Sequence, residues 1–189
     1  MKDKTIYELY KSLNLNEKLQ AYLKAVKRQD VDELELIYKT MDTVEDKLRY
    51  AFRVRALREL ALIYNAIFFK TVAEFLNFLM GYDISLREQS GSEIERLRDV
   101  IKALQNIKSL QKAFKTFCDE IGIEKEDILG LFPLVREFPD EFFEELERTI
   151  SEHKEKLGIN EKELKGELEE KLYNEHLETF RGLWNTLTS

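Results

Sequence analysis

Two prolines and seven glycines in 189 residues leave little turn chemistry. An antiparallel sandwich or barrel needs a turn about every 8–12 residues, so an all-β fold is excluded. The alternating Val- and Thr-rich runs of half-buried strands are missing as well. Neither GxGxxG nor GxxxxGK(S/T) occurs, which removes the glycine-rich phosphate loops of Rossmann and P-loop folds. A single cysteine, Cys118, rules out an internal disulfide and a thiolate zinc site. It follows Phe117 and precedes Asp119 and Glu120, the wrong sign of charge for an activated thiolate, so it reads as a small buried hydrophobe. Cysteine scarcity and a polar, charged first ten residues point to a reduced, cytoplasmic protein.

Charge and apolar residues are both plentiful. Hydrophobic residues make up 43% of the chain, enough for a core, and charged residues 35%, against roughly 25% in an average soluble domain. The excess suits long helices with solvated faces. The charge is unevenly placed: residues 1–112 carry +3 and residues 113–189 carry −10, for a net −7.

Apolar spacing is helical almost throughout. Thr5-x-x-Glu8 reads as a capping box opening a first helix, Asn16 as the cap of a second, and Asp30 with Glu33 as the start of a third. Thr43 opens a long run that ends near Met80, with Gly81 as the stop. Residues 89–92, QSGS, form the best linker, and Ser92-x-x-Glu95 begins the most regular amphipathic helix, ended by Gly122. A short helix follows around 125–131. Pro139 begins a helix that Gly158 terminates, and Asn160 with Glu163 caps the last one, giving a terminal helical hairpin. The expected fold is all-α: a multi-helix bundle of seven to nine helices around one long, largely buried helix near 44–80. It either divides into an N-terminal subdomain, 1–84, and an acidic C-terminal subdomain, 92–189, or forms one continuous domain.

The most apolar stretch is LALIYNAIFFKTVAEFLNFLM at 60–80. Its length invites a membrane reading, but Lys70 and Glu74 fall inside it and are costly at a bilayer centre. At 100° per residue Lys70, Glu74 and Asn77 share about 60° of arc. This reads as the central helix of a bundle with a narrow polar stripe at the surface. A contact between copies is the next option.

Lys47, Arg49, Arg53, Arg55 and Arg58 form the one concentrated basic cluster, and a helix docked on phosphates is the corresponding nucleic-acid reading. The helical wheel opposes it. Lys47, Arg55 and Arg58 share a side, while Arg49 and Arg53 lie more than about 120° away. Glu45 and Glu59 stand at i, i+4 from Arg49 and Arg55. Glu137, Asp140, Glu141, Glu144, Glu145 and Glu147 form an acidic segment suited either to a helix N-terminus or to a basic partner. No glycine-hinged calcium loop accompanies them. His153 and His176 are the two histidines, set roughly 15 Å apart along the expected hairpin, so they do not share a metal. No metal, cofactor or catalytic residue is expected.

Tyr7, Tyr10, Tyr22 and Tyr38 mark a possible contact face on the first helices. The segments 22–34 (YLKAVKRQDVDEL) and 113–123 (AFKTFCDEIGI) resemble, in short helix-turn patterns, small helical proteins of bacterial mobile elements. That resemblance implies no activity. The leading expectation is a non-enzymatic helical protein that acts through a protein partner or through self-assembly, away from membranes. A nucleic-acid-associated protein using residues 47–58 is the alternative. A ligand binder or enzyme with a pocket in the bundle is the third.

Overall fold

The computed structural model describes residues 2–132, 136–152, 155 and 167–189. Among these there are eight helices and no strand, and 86% of the residues are helical. In chain order the helices are α1 (Lys2–Ser12), α2 (Leu15–Arg28), α3 (Val31–Lys39), α4 (Val44–Glu88), α5 (Glu93–Ile121), α6 (Lys125–Leu129), α7 (Asp140–Glu152) and α8 (Glu167–Thr188). The fold is an all-α bundle with one very long helix.

Most helix ends follow local chemistry. Asp30 caps α3 through its side chain, which accepts from the Glu33 N–H at 3.0 Å. Thr43 Oγ1 accepts from the Asp46 N–H at 3.1 Å and opens α4. Gly122, at φ 72°, ends α5, and the following Ile123 N–H returns to the Cys118 carbonyl at 3.1 Å. That conformation suits glycine at a helix C-terminus. Pro139 precedes α7, and its carbonyl accepts from Phe142.

Three ends differ from the sequence reading. α1 begins at Lys2, so Thr5 is inside it and does not cap it; no breaker stands at 2–4 to delay the start. Asn14, not Asn16, caps α2: its Oδ1 accepts from the Glu17 N–H at 2.8 Å and its Nδ2 donates back to Glu17 Oε1 at 2.6 Å. Asn16 instead donates to the Ile121 carbonyl at 3.1 Å, satisfying one of the orphan acceptors at the end of α5. Gly81 does not stop α4, which runs on to Glu88. A glycine in mid-helix costs only about 0.5–1 kcal/mol relative to alanine. The turn itself falls at 89–92, where Gln89 and Gly91 have φ 51° and 75°. Gly158, Asn160 and Glu163, expected to end one helix of the terminal hairpin and cap the next, lie outside the described residues.

The chain forms two compact units. Unit 1 comprises 1–64, 115–135 and 179–189; unit 2 comprises 65–114 and 136–178. Each of the three longest helices contributes to both.

In unit 1, Leu19, Leu23, Ile37, Leu57, Leu60 and Tyr64 are fully buried. An aromatic group adds to them. Phe180 is fully buried, with ring centroids 6.0 Å from Tyr64 and 6.2 Å from Phe117, and Phe117 stands 6.2 Å from Trp184. Cys118 is buried, as expected. Gln20 ties α2 to α6: its Oε1 accepts from the Glu124 N–H at 2.7 Å and its Nε2 donates to the buried Asp127 at 2.5 Å.

In unit 2 the core is built from α5, with Val100, Ile101, Leu104, Ile107, Leu110 and Phe114 buried along one face. Phe68, Phe75, Phe143 and Leu177 are buried from the other helices. Phe138 stacks on Phe142 at 5.0 Å and lies 6.3 Å from Phe68. Lys108 reaches two carboxylates, Glu147 and, at 3.4 Å, Glu169. Burial pulls its ammonium down, and the two acids outweigh that and leave its pKa raised.

Candidate functional site

The basic residues of α4 are engaged separately. Arg49 pairs with Glu45 at 2.8 Å on the surface. Arg53 points at Asn16 Oδ1, 3.4 Å away, and Arg58 donates to the Tyr22 hydroxyl at 3.1 Å. Lys47 lies over the Tyr38 ring, 5.2 Å from its centroid. Arg55 is exposed. Four of the five cations are therefore tied to different neighbours.

The acidic segment has more than one role. Asp140 and Glu141 occupy the exposed first turn of α7, where the helix dipole favours a negative charge. Glu144 and Glu145 are exposed on the same helix, Glu147 holds Lys108, and Glu137 is half-buried before the helix.

His176 is half-buried, and its Nε2 donates to Asn106 Oδ1 at 2.8 Å. Burial holds its pKa below the usual value, against a weaker upward pull from Glu175. His153 lies outside the described residues. Among those described, no group of three or more His, Cys, Asp or Glu side chains is arranged to hold a metal ion.

The most unusual surface lies on α4 in unit 2. Phe68, Thr71 and Phe75 are buried and mark its inner side. On the opposite side Ala66, Phe69, Ala73, Leu76 and Met80 follow one another at spacings of three and four, and all are exposed. Phe69 is 59% exposed, Leu76 49% and Met80 63%. This is a heptad seam with no partner among the described residues. Lys70, Glu74 and Asn77 are exposed beside it, as the sequence predicts, but they flank an apolar face and do not make up the whole exposed surface. The helix is long and apolar enough to cross a membrane by length and composition alone, yet only 22% of its most apolar window is buried. An isolated exposed apolar side chain is ordinary; a contiguous row of this length is not.

Sequence reasoning gives this face only second place, as a contact between copies, because an apolar helix with one narrow polar stripe reads first as a buried one. The signal that finds it is the second apolar register, 66-69-73-76-80, running opposite 68-71-75.

No protein-family model matches the chain, and no curated protein and no solved structure is significantly similar to it. The likeness to mobile-element proteins therefore gains no family from these comparisons.

Proposed function

We propose that this protein acts by self-assembly, two copies packing through the exposed face of α4 between residues 66 and 80. The observation that carries this reading is the alternation of small and large side chains along the seam. Ala66 and Ala73 alternate with Phe69 and Leu76, and Met80 follows. When the helix is reversed against a second copy about the level of residue 71, Phe69 falls on the partner's Ala73 and Leu76 on the partner's Ala66. Phe69 and Leu76 each meet a small hole, Met80 falls on the partner's likewise exposed Leu62, and the symmetry makes every contact twice. A parallel pair in register sets Phe69 on the partner's Phe69 and Ala73 on the partner's Ala73, leaving large against large and small against small.

Lipid is a poorer occupant. Lys70 and Glu74 border the face, and the inner side of the same helix is packed against protein. This reading places the protein in aqueous solution, with a second copy in place of a bilayer.

Cysteine pairing tests the arrangement. Phe69→Cys and Ala73→Cys chains, mixed and oxidised, are expected to cross-link to each other in preference to forming either homodimer. Equal yields of all three species contradict the antiparallel register. Flotation of the wild-type chain with neutral phospholipid vesicles contradicts the choice of occupant.

A further inference from the structure

The exposed row of α4 runs on beyond the ends of the seam. At the same heptad spacing it continues through Leu62, Glu59, Arg55, Phe52 and Leu48 towards the N-terminus and through Asp83 and Arg87 towards the C-terminus, within one unbroken helix. Glu59 is half-buried and the other six are exposed. The charges stand in mirror order. From Leu62 to Met80 every heptad position is apolar; Glu59 and then Arg55 close one end, Asp83 and then Arg87 the other.

Reversal about the level of residue 71 lays the two charged ends on each other. Glu59 comes level with the partner's Asp83 and Arg55 with the partner's Arg87, and the apolar stretch meets only itself. A slip of one heptad ends this separation in either direction. With Phe69 on the partner's Ala66, Glu59 falls on the partner's Leu76 and Arg55 on the partner's Met80. With Phe69 on the partner's Met80, Asp83 falls on the partner's Ala66 and Arg87 on the partner's Leu62. A charge set against apolar side chains loses water and gains no partner, so both slips are disfavoured.

The like charges that come level are relieved by their neighbours. Successive levels carry opposite signs and stand about 6 Å apart along the helix, a step that an arginine side chain spans. Asp83 and Arg87 already pair at 3.1 Å. Arg55 and Glu59 have the same spacing, make no ion pair among the described residues and are available to the partner's charges. Arg55 then reaches the partner's Asp83, and the partner's Arg87 reaches Glu59, in a ring of alternating sign. We propose that Arg55, Glu59, Asp83 and Arg87 set the register of the dimer, as two such rings, one at each end of the seam. Exposed ion pairs add little affinity. The rings instead select one alignment among several, the part that charged flanking positions play in coiled coils. This inference rests on the assembly reading.

Arg55→Ala/Glu59→Ala tests the rings. In that variant the slipped alignment, with Phe69 on the partner's Ala66, sets a large side chain on a small one at every level from 55 to 80, and no charge opposes it there. Both substitutions favour a helix and add little exposed apolar surface, so the variant is expected to fold. Disulfide formation between chains carrying one added cysteine each reads the alignment. Phe69→Cys with Ala73→Cys reports the mirror register, and Phe69→Cys with Ala66→Cys the slipped one. Cys118 is buried and stays out of the reaction. With the charges intact the 69–73 product is expected to dominate, and in the double-alanine background the 66–69 product. Equal yields of the two with the charges intact, or a 69–73 preference that survives in the double-alanine background, overturn the proposal. Sedimentation of the same chains separates it from the assembly reading. Monomers at every concentration overturn both, while a dimer whose cross-links do not move overturns the rings alone.

Discussion

The side-chain amide of Gln111 forms a closed pair with the main chain of Phe138. Its Nε2 donates to the Phe138 carbonyl at 2.8 Å, and its Oε1 accepts from the Phe138 N–H at 3.0 Å. Gln111 is buried in α5, and Phe138 lies in the extended segment before α7. The amide acts as a strand would, satisfying both backbone groups of a residue whose ring stacks on Phe142. Removing it leaves two main-chain groups unpaired. Gln111→Ala is expected to destabilise unit 2 by about 1–3 kcal/mol, and Gln111→Glu by a similar amount, since a carboxylate cannot donate to the carbonyl. Urea titration of both variants checks this; a glutamate variant as stable as wild type contradicts it.

Gly81 is a cheap improvement. It sits inside α4, and a Cβ built there lies 3.5 Å from Arg96 Nη1, an ordinary contact with the mobile end of a side chain. Nothing in the backbone requires glycine, so Gly81→Ala is expected to stabilise the chain by about 0.5–1 kcal/mol. A decrease in the urea midpoint means that the helix does not pass through residue 81.

Phe180 fills the aromatic group of unit 1 between Tyr64 and Phe117. It is fully buried, so truncation removes its transfer energy and leaves a void. Phe180→Ala is expected to cost about 3–5 kcal/mol, and Phe180→Leu distinctly less. Thermal unfolding of the pair gives the comparison; equal losses deny that packing volume sets the cost.

His176 gives the fold a defined acid sensitivity. Burial holds its folded pKa below the unfolded value of about 6.5. Above that value both states are neutral and the contribution to stability is complete. As the pH falls below it, the unfolded chain takes up a proton that the folded chain refuses, and stability is lost until the folded pKa is passed. His176→Gln keeps a donor for Asn106 and removes the titration. The variant is expected to lose less stability than wild type between pH 7.5 and pH 5 in urea titrations. Parallel losses contradict the assignment.

Much of the bundle was legible because its punctuation is local. Asp30, Thr43, Gly122 and Pro139 act where the sequence places them, each through a bond that its own neighbours complete. Asn16 has the residue type of a cap, but its partner is a carbonyl distant in sequence, while Asn14, two residues earlier, makes the local bond to the Glu17 N–H. Gly81 misled because a glycine signals a stop only when the apolar pattern also ends there, and on α4 it does not.

The α4 seam was the least legible feature. Periodicity separates an inner from an outer face only when the outer one is polar, and here both are apolar. The central claim, that a second copy covers this seam, is tested most directly by sedimentation equilibrium of the wild type beside Phe69→Glu/Leu76→Glu. Both substituted side chains are exposed in the single chain, so the variant is expected to fold. The account predicts a wild-type mass of twice 22.5 kDa and a monomeric variant. A wild-type monomer at every concentration, or a variant that stays dimeric, contradicts it.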